Sequence, residues 1–300
     1  MANVSIGINL STSAAPGADP VGDARHAEKL GFDFLTASDH PSGSHPTLET
    51  WTLLTWVAAH TERIGLVPNV IGLPYREPPI LAKMAESLDR LSAGRLTLGL
   101  GAGANDAALR SFGLPVRSAG EKVEALGEAI EILHGLWSDQ TFSYQGRRYR
   151  TEEARIEPRA SRRIPIWLGT YGPKGLDLTG RLADGWTPSL PYAPLPQAVK
   201  MRERVLEAAA AAGRSPDAVV CNLNFGVLVD GGSARREQVV VGSAEEVADR
   251  MVEFVRAGFT SLNFWPLRED REQIERLAGE VLPAVRSAVQ TEDIAISSGR

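Results

Sequence analysis

Residues 81–103 read LAKMAESLDRLSAGRLTLGLGAG, a stretch that joins two kinds of secondary structure. The spacing of apolar residues predicts a helix over 79–91. The segment 95–100 has the short apolar pattern of a strand and is bounded by glycine on both sides. A helix that leads into a strand is the repeating unit of α/β folds, so this stretch predicts that class if the unit recurs.

The unit recurs along the whole sequence. The predicted strands are 4–9, 32–36, 64–67, 95–100, 164–168, 185–186, 219–229 and 260–264. The predicted helices are 20–30, 48–60, 79–91, 121–137, 172–182, 198–212, 247–257 and 273–289. Residues 142–149 predict a hairpin-like insertion.

Eight strands with helical connections predict a (β/α)8 TIM barrel with short insertions. Parallel strands need crossover helices, and eight such units close on themselves. The alternative is an open doubly wound sheet, in which a ligand would bind where the strand order reverses. No linker-like run divides the sequence, so we expect one domain over residues 1–300, with a disordered tail at about 294–300.

The composition is that of an ordinary soluble protein. The 300 residues carry a formal net charge of −5, without the basic stripe that binds nucleic acid. Cys221 is the one cysteine, which excludes an internal disulfide and a multi-cysteine metal site. The sequence shows neither a basic leader followed by an apolar core nor an apolar run long enough to cross a bilayer. We therefore expect a cytoplasmic protein with no membrane partner and no nucleic-acid partner.

The loops after the carboxyl ends of the strands are where a barrel carries its active site. His40, which follows Asp39 and precedes Pro41, is the first candidate for catalysis, because an imidazole can exchange a proton at neutral pH. The alternative is that Asp39 and His40 only cap the loop. His45 lies nearby, but the spacings typical of metal-dependent enzymes are absent, so no metal is expected.

Two glycine-rich segments are candidates for binding a ligand. The series Gly99-x-Gly101-x-Gly103 resembles a dinucleotide fingerprint, but Asp106 stands where that pattern needs glycine or alanine. These glycines permit either close approach of a flat ligand or a plain tight turn. The segment Gly172-Pro-Lys-Gly175 begins a helix, where free N–H groups and a cation favour phosphate, although proline also suits simple helix initiation.

Polar and aromatic residues at other strand ends are candidates for substrate contact. Asn222 and Asn224 are two residues apart and therefore share one face of the seventh strand. Tyr75 and Trp265 can line an apolar pocket wall, or equally belong to the core. The sequence has no nucleophile elbow and no Walker A loop, which disfavours hydrolases and phosphotransferases.

Three stretches resemble the bacterial luciferase-like flavin and deazaflavin oxidoreductases. They are residues 81–103, the pair Pro165-Ile-Trp-Leu-Gly-x-x-Gly-Pro173 and Ala183-Asp-Gly-Trp186, and Ser38-Asp-His40. The resemblance covers residues 4 to 290 or so and agrees with the barrel. It implies that FMN or coenzyme F420 binds at the barrel mouth.

The resemblance also implies roles for individual residues. His40 and Asp39 would lie beside the reactive ring, and the ring would rest on a bulge at Asn69–Val70, where many members have a non-prolyl cis peptide. The remaining cofactor contacts are expected from the loops after strands four and five, at Gly101, Gly103, Asn105, Gly169, Thr170, Gly172, Pro173 and Lys174, the last three around the phosphate. Ala104 stands where the sugar-phosphate dehydrogenases of the family have glutamate, which argues against a sugar-phosphate substrate.

The function expected from these residues and this resemblance is coenzyme F420-dependent transfer of a hydride to or from a small organic substrate. The Ser-Asp-His segment and the Ala- and Arg-rich composition favour F420. One alternative is an FMN-dependent monooxygenase that uses reduced flavin and oxygen, and another is a cofactor-free binding or partner subunit. The family also implies a homodimer, and a flavin or F420 reductase is the expected source of reduced cofactor.

Overall fold

The helix–strand unit at residues 81–103 forms as the sequence predicts in the computed structural model, which describes residues 4–229, 238–268 and 271–298. The helix spans Pro78–Leu91 and buries Leu81, Ala85 and Leu88 on one face, as spacings of three and four residues require. The strand Leu98–Gly101 is buried at every position. A buried strand beneath an amphipathic helix is the two-layer packing that repeats around the molecule.

Strands and helices alternate along most of the described chain. The strands are β1 Ser5–Asn9, β2 Phe34–Ala37, β3 Gly65–Pro68, β4 Ile71–Gly72, β5 Leu98–Gly101, β6 Phe142–Gln145, β7 Arg150–Ala154, β8 Ile166–Leu168, β9 Gly185–Trp186, β10 Val220–Val229, β11 Val239–Gly242 and β12 Ser261–Pro266. The helices are α1 Pro20–Leu30, α2 Thr50–Ala58, α3 Pro78–Leu91, α4 Asp106–Ser111, α5 Ala119–Ser138, α6 Pro173–Leu182, α7 Leu195–Ala211, α8 Ala244–Arg256, α9 Arg271–Arg276 and α10 Leu282–Ser298, with a π-helical turn at Leu277–Val281 between the last two.

Eight of these strands form a closed parallel ring. The order β3-β2-β1-β12-β10-β9-β8-β5 is continuous and parallel throughout. The ring closes where Leu66 of β3 pairs with Leu96, just before β5, and the Leu66 N–H donates to the Arg95 carbonyl at 2.9 Å. The TIM-barrel prediction is therefore confirmed, and the open doubly wound alternative is wrong.

The amino-terminal half of the barrel interior is filled by aromatic side chains. Phe34 and Trp167 meet edge to face with ring centroids 5.8 Å apart, and Val67 packs with them. An added Cβ would lie 2.2 Å from the Phe34 ring at Gly7 and 2.3 Å from the Trp167 ring at Gly185, so only glycine fits at these two positions. Because this half is filled, a ligand has to enter from the carboxyl ends of the strands.

The hairpin insertion and the closing helix can be compared with what the sequence predicts for them. The insertion forms an antiparallel hairpin of β6 and β7, as predicted, and the Glu128 carboxylate accepts N–H bonds from all three residues 147–149 of its turn. The closing helix runs further than predicted, because α10 continues to Ser298. Residues 294–298 of the expected disordered tail are thus helical, and residues 299–300 lie outside the described residues.

No helix in the described part of the chain is long and apolar enough to cross a membrane.

Candidate functional site at the barrel mouth

A layer of amide and hydroxyl side chains lies inside the barrel, on the mouth side of the aromatic filling. Alternate residues of a barrel strand point inward, so polar residues at matching heights on neighbouring strands meet there. We call this set the amide layer; its members are Asn9, Thr36, Asn69, Thr187, Asn222, Asn224, Ser261 and Asn263.

Asn224 is the centre of the amide layer. Its Oδ1 accepts hydrogen bonds from Asn69 and Asn263, both at 2.8 Å, and from Asn222 at 3.1 Å. Its Nδ2 donates to the Thr187 hydroxyl at 2.9 Å and to the Pro188 carbonyl at 2.8 Å. The side-chain amide of Asn224 therefore has no donor left for a ligand.

The placement of Asn222 and Asn224 differs from the expectation of substrate contact. They share one face, as predicted, but they are 0% and 1% exposed. Their amides bond to each other and to neighbouring strands beneath the mouth. The sequence predicts that the two side chains share a face, but it does not predict how far below the barrel mouth they lie. That distance depends on the register of β10 with β9 and β12.

The bulge after β3 forms the floor of the mouth. The Asn69–Val70 peptide is cis. Both polar atoms of the Asn69 side-chain amide are bonded to the amide layer. Its Nδ2 donates to Asn224, and its Oδ1 accepts from Thr187 at 3.1 Å. Val70, the next residue, is half-buried.

The glycine-rich strand end accommodates this bulge. An added Cβ would lie 2.5 Å from a Val70 methyl at Gly101, 3.3 Å from both Val70 methyls at Gly169, and 2.0 Å from the Pro68 carbonyl oxygen at Gly99. Side chains at these positions would displace the bulge. Gly101 and Gly169 thus shape the floor through Val70, a contact across strands that linear sequence does not reveal.

Asp39 belongs to an ion-pair cluster with Arg76 and Glu49 at the edge of the floor. Arg76 donates to both of its carboxylate oxygens, at 2.8 and 3.2 Å, and the Gly72 N–H donates to Oδ2 at 2.9 Å. Arg76 also pairs with Glu49, which caps α2. Burial acts to lower the pKa of Arg76, but the bonds and charges of Asp39 and Glu49 outweigh it and raise that pKa. Asp39 therefore fixes the loop that carries His40, and sequence reasoning gave no sign of its partner Arg76.

His40 presents its ring to solvent beside this cluster. Its side chain is exposed, and no other part of the chain that the structure describes engages it. The loop is anchored to the floor, because the Asn69 N–H donates to the Ala37 carbonyl at 2.8 Å and Asp39 holds Gly72. Of the two residues predicted to be catalytic, His40 is the one with free nitrogens.

Tyr75 and the loop after β5 form the adjoining wall. Tyr75 packs over Gly72 and meets Phe112 edge to face at 6.2 Å. Burial, and then the negative charge of Asp39, raise the pKa of its phenol. Gly103 has a φ of +82° and lies against Pro74, while Asn105 caps α4 by accepting the Ala108 N–H at 3.1 Å.

The start of α6 lies on the opposite side of the mouth. Gly172 is its N-cap, provides no side-chain cap, and has nothing within 4 Å of the place a Cβ would occupy. Its first turn can therefore offer N–H groups to an anion. Thr170 supports the turn instead, since its hydroxyl bonds to that of Thr179 at 2.8 Å. Pro173 and Lys174 are exposed, and Lys174 lines a groove between α5 and α6.

Trp265 is half-buried at the end of β12, and its ring nitrogen would lie 2.9 Å from a Cβ added at Gly226. It remains a candidate for the mouth wall. Within residues 4–229, 238–268 and 271–298, no group of three or more His, Cys, Asp or Glu side chains could hold a metal ion.

The sequence and the barrel architecture are similar to those of known proteins. The sequence model of the luciferase-like monooxygenase family matches residues 5–238. The chain belongs to this family. The resemblance of residues 81–103, 165–186 and 38–40 to luciferase-like proteins is thereby confirmed.

Two relatives carry the same description. The F420-dependent glucose-6-phosphate dehydrogenase of Microbacterium testaceum (strain StLB037) is 31% identical over 202 residues, which are 64% of this luciferase-like chain and 59% of that protein. Its counterpart in Beutenbergia cavernae is 28% identical over 311 residues, covering 87% of this chain and 91% of that protein. The chain spans about half to three fifths of the length of the first curated relatives that it matches.

A solved structure shares the architecture. An F420-dependent secondary alcohol dehydrogenase, in complex with an F420–acetone adduct, superimposes with a TM-score of 0.84 at 19% identity, covering 94% of this chain and 99% of that one. At this level of identity the likeness shows the fold. It agrees with the ring of eight strands found in the luciferase-like chain.

Proposed function

We propose that this protein is a coenzyme F420-dependent oxidoreductase that interconverts an alcohol and a carbonyl group on a small organic substrate. The observation that carries the proposal is the floor at Asn69–Val70, held from beneath by Asn224 and bordered by the free ring of His40. The names of the two relatives and of the superimposed structure support F420 and this type of reaction.

The residues at the mouth fit such a cofactor. Val70 offers a half-buried apolar surface for a planar ring, and glycine at 99, 101 and 169 keeps it in place. The N–H groups of Gly172 and Lys174, on either side of Pro173 at the start of α6, suit the phosphate of its tail. When bound, the deazaflavin supplies a carbon centre that accepts or returns a hydride and reacts poorly with oxygen.

His40 is assigned the proton transfer. When an alcohol is oxidised, a ring nitrogen of His40 takes the proton from the substrate hydroxyl oxygen, and in the reverse direction it returns that proton to the carbonyl oxygen. A positioned general base or acid contributes roughly 10²–10⁴ in rate. Asp39 has no free oxygen for this role, so its assignment is to position the His40 loop through Arg76 and Gly72.

The substrate proposed here differs from glucose 6-phosphate. Ala104 is exposed and replaces the acid that the family's sugar-phosphate dehydrogenases have after the glycine-rich strand. The next acid, Asp106, is paired with Lys122 on α5. The mouth therefore lacks the carboxylate expected for that chemistry.

An FMN-dependent monooxygenase is the second candidate, favoured by the description of the family that the sequence matches. There bound FMN would supply the oxygen chemistry, and His40 would donate a hydrogen bond at the mouth instead of taking a substrate proton. We also propose a cytoplasmic homodimer, with a reductase supplying reduced cofactor where the reaction runs in the reducing direction.

The experiment that tests the function is incubation of the purified protein with F420 and a panel of secondary alcohols. The proposal predicts loss of F420 fluorescence that depends on the alcohol and proceeds without oxygen. The comparison arm supplies reduced FMN, oxygen and the same compounds. Oxygen incorporation in that arm, with no change of F420, would overturn the proposal in favour of a monooxygenase.

A further inference from the structure

The large apolar side chains exposed on the described part of the protein are unevenly distributed. One group lies on α2, on α3 and at the start of β10: Trp56, Ile80, Leu91 and Val220. The other group lies on loops that follow the carboxyl ends of barrel strands: Leu48, Phe112, Val116, Tyr192 and Leu267. We call this second group the mouth rim.

The mouth rim draws on four different loops at the same end of the barrel. Leu48 follows β2, Phe112 and Val116 follow β5, Tyr192 follows β9 and Leu267 follows β12. Phe112 is 50% exposed and Tyr192 is 74% exposed, which are high fractions for large rings. Exposed apolar side chains on several loops of one barrel end favour a binding surface there, whereas single exposed apolar residues are normal.

Two residues of the mouth rim, Phe112 and Tyr192, each contact another aromatic ring of the protein. Phe112 meets Tyr75 at 6.2 Å, next to the Asp39 cluster that carries His40. Tyr192 meets Tyr171 at 5.7 Å, and the Tyr171 hydroxyl accepts the Ser189 N–H at 3.0 Å. The rings therefore form walls that lead from the rim towards the floor.

Several charged groups on the loops around the mouth are paired with one another. Asp39 and Glu49 both pair with Arg76, and Asp106 pairs with Lys122. A substrate that enters past these residues meets neutralised charge and aromatic surface. This surface suits an uncharged apolar body better than a phosphorylated one.

We propose that the substrate carries its alcohol or carbonyl group on a long or bulky apolar body, which lies across Phe112 and Tyr192 while the reacting carbon reaches His40. This inference rests on the proposed function and names its substrate class. Each methylene buried against the rim is worth about 0.8 kcal/mol, or about fourfold in kcat/KM.

The test is a homologous series of linear secondary alcohols assayed with F420. The proposal predicts that kcat/KM rises about fourfold for each added methylene until the rim is covered. The double variant Phe112→Ala, Tyr192→Ala should lose at least about tenfold on the longest alcohols and less than about twofold on the shortest. The control variant Leu91→Ala removes a side chain that is 78% exposed on α3, and it should leave the whole series unchanged.

A second measurement separates this inference from the proposed function. Binding of the same alcohols to the cofactor-free protein is followed by saturation-transfer NMR, and F420 binding is titrated on its own. Affinity that increases with chain length and falls in the double variant supports the apolar substrate even if no F420 turns over. Affinity and kcat/KM that are independent of chain length, or a double variant identical to Leu91→Ala, would overturn it whatever F420 does.

Discussion

Asn69 and Asn224 lie 155 residues apart in sequence, and a 2.8 Å hydrogen bond from Asn69 Nδ2 to Asn224 Oδ1 joins them under the barrel mouth. Asn224 is 1% exposed and carries no group that a ligand can reach. Its effect on a cofactor must therefore pass through the floor that Asn69 and Val70 form. This makes Asn224 a positioning residue.

The first prediction separates positioning from stability at this bond. Asn224→Ala leaves the buried side-chain N–H groups of Asn69 and Asn263 without an acceptor, so we expect a loss of about 2–4 kcal/mol in unfolding free energy. We also expect F420 affinity to fall by about tenfold, because the floor is released. Urea unfolding and fluorescence titration measure the two effects.

Asn222→Ala is the matched control, since Asn222 belongs to the same layer and makes no hydrogen bond to Asn69. It should lower stability while leaving F420 affinity within about threefold. Equal losses of affinity in the two variants would show that Asn224 acts only through general stability.

The second prediction concerns the proton transfer assigned to His40. His40→Ala should lower kcat/KM by roughly 10²–10⁴ and leave the F420 dissociation constant nearly unchanged, because we assign the ring to the substrate oxygen and not to the cofactor tail. His45→Ala, on the same exposed loop, is the control and should behave like the parent protein. Steady-state kinetics with unaltered turnover in His40→Ala would remove the histidine from the mechanism.

The third prediction uses the open N-cap of α6. Gly172 has a φ of −77° and empty space around its Cβ position, so aspartate fits there. As an N-cap, Gly172→Asp should stabilise the helix by a few tenths of a kcal/mol or more, yet its carboxylate would repel a phosphate at the same N–H groups. We expect a higher Tm for the free protein together with weaker F420 binding.

A deazaflavin that lacks the phosphate tail is the control ligand for this variant. It should bind Gly172→Asp and the parent protein equally well. If both ligands weaken equally, or neither weakens, the phosphate is bound elsewhere.

The fourth prediction is a pH dependence of stability at Glu28. Burial acts to raise the pKa of this carboxyl, but the backbone N–H groups of Arg63, Ile64 and Glu62, which it accepts at 2.7, 2.9 and 2.9 Å, outweigh burial and lower it. A pKa that is lower in the folded state stabilises the fold at neutral pH, and this stabilisation is lost as the pH falls through that pKa.

Glu28→Gln should therefore cost about 0.5–1 kcal/mol of unfolding free energy at neutral pH, because an amide oxygen accepts these bonds more weakly than a carboxylate and solvent screens the charge, and the difference from the parent should shrink under acidic conditions. Glu62→Gln, whose side chain is 87% exposed, is the control and should show little change. Urea unfolding across the acid range measures both. A difference that grows as the pH falls would contradict the assignment.

Sequence periodicity was sufficient to predict the barrel, because each strand and helix carries its own apolar pattern. Features that depend on contacts between distant strands were not predictable in this way. The sequence predicts that Gly101 contacts a ligand, but in the structure Val70 lies against it. The sequence predicts that Asp39 is catalytic, but Arg76, 37 residues later, donates hydrogen bonds to both of its carboxylate oxygens. Asn222 and Asn224 have the predicted face, but their depth follows from the register with β12.

The cofactor preference proposed here is tested most directly by two fluorescence titrations of the purified protein, one with F420 and one with FMN. F420 should bind saturably and FMN more weakly, with the F420 affinity reduced in Asn224→Ala and in Gly172→Asp. A protein that binds neither compound at saturating levels, or that binds FMN more tightly than F420, would contradict it.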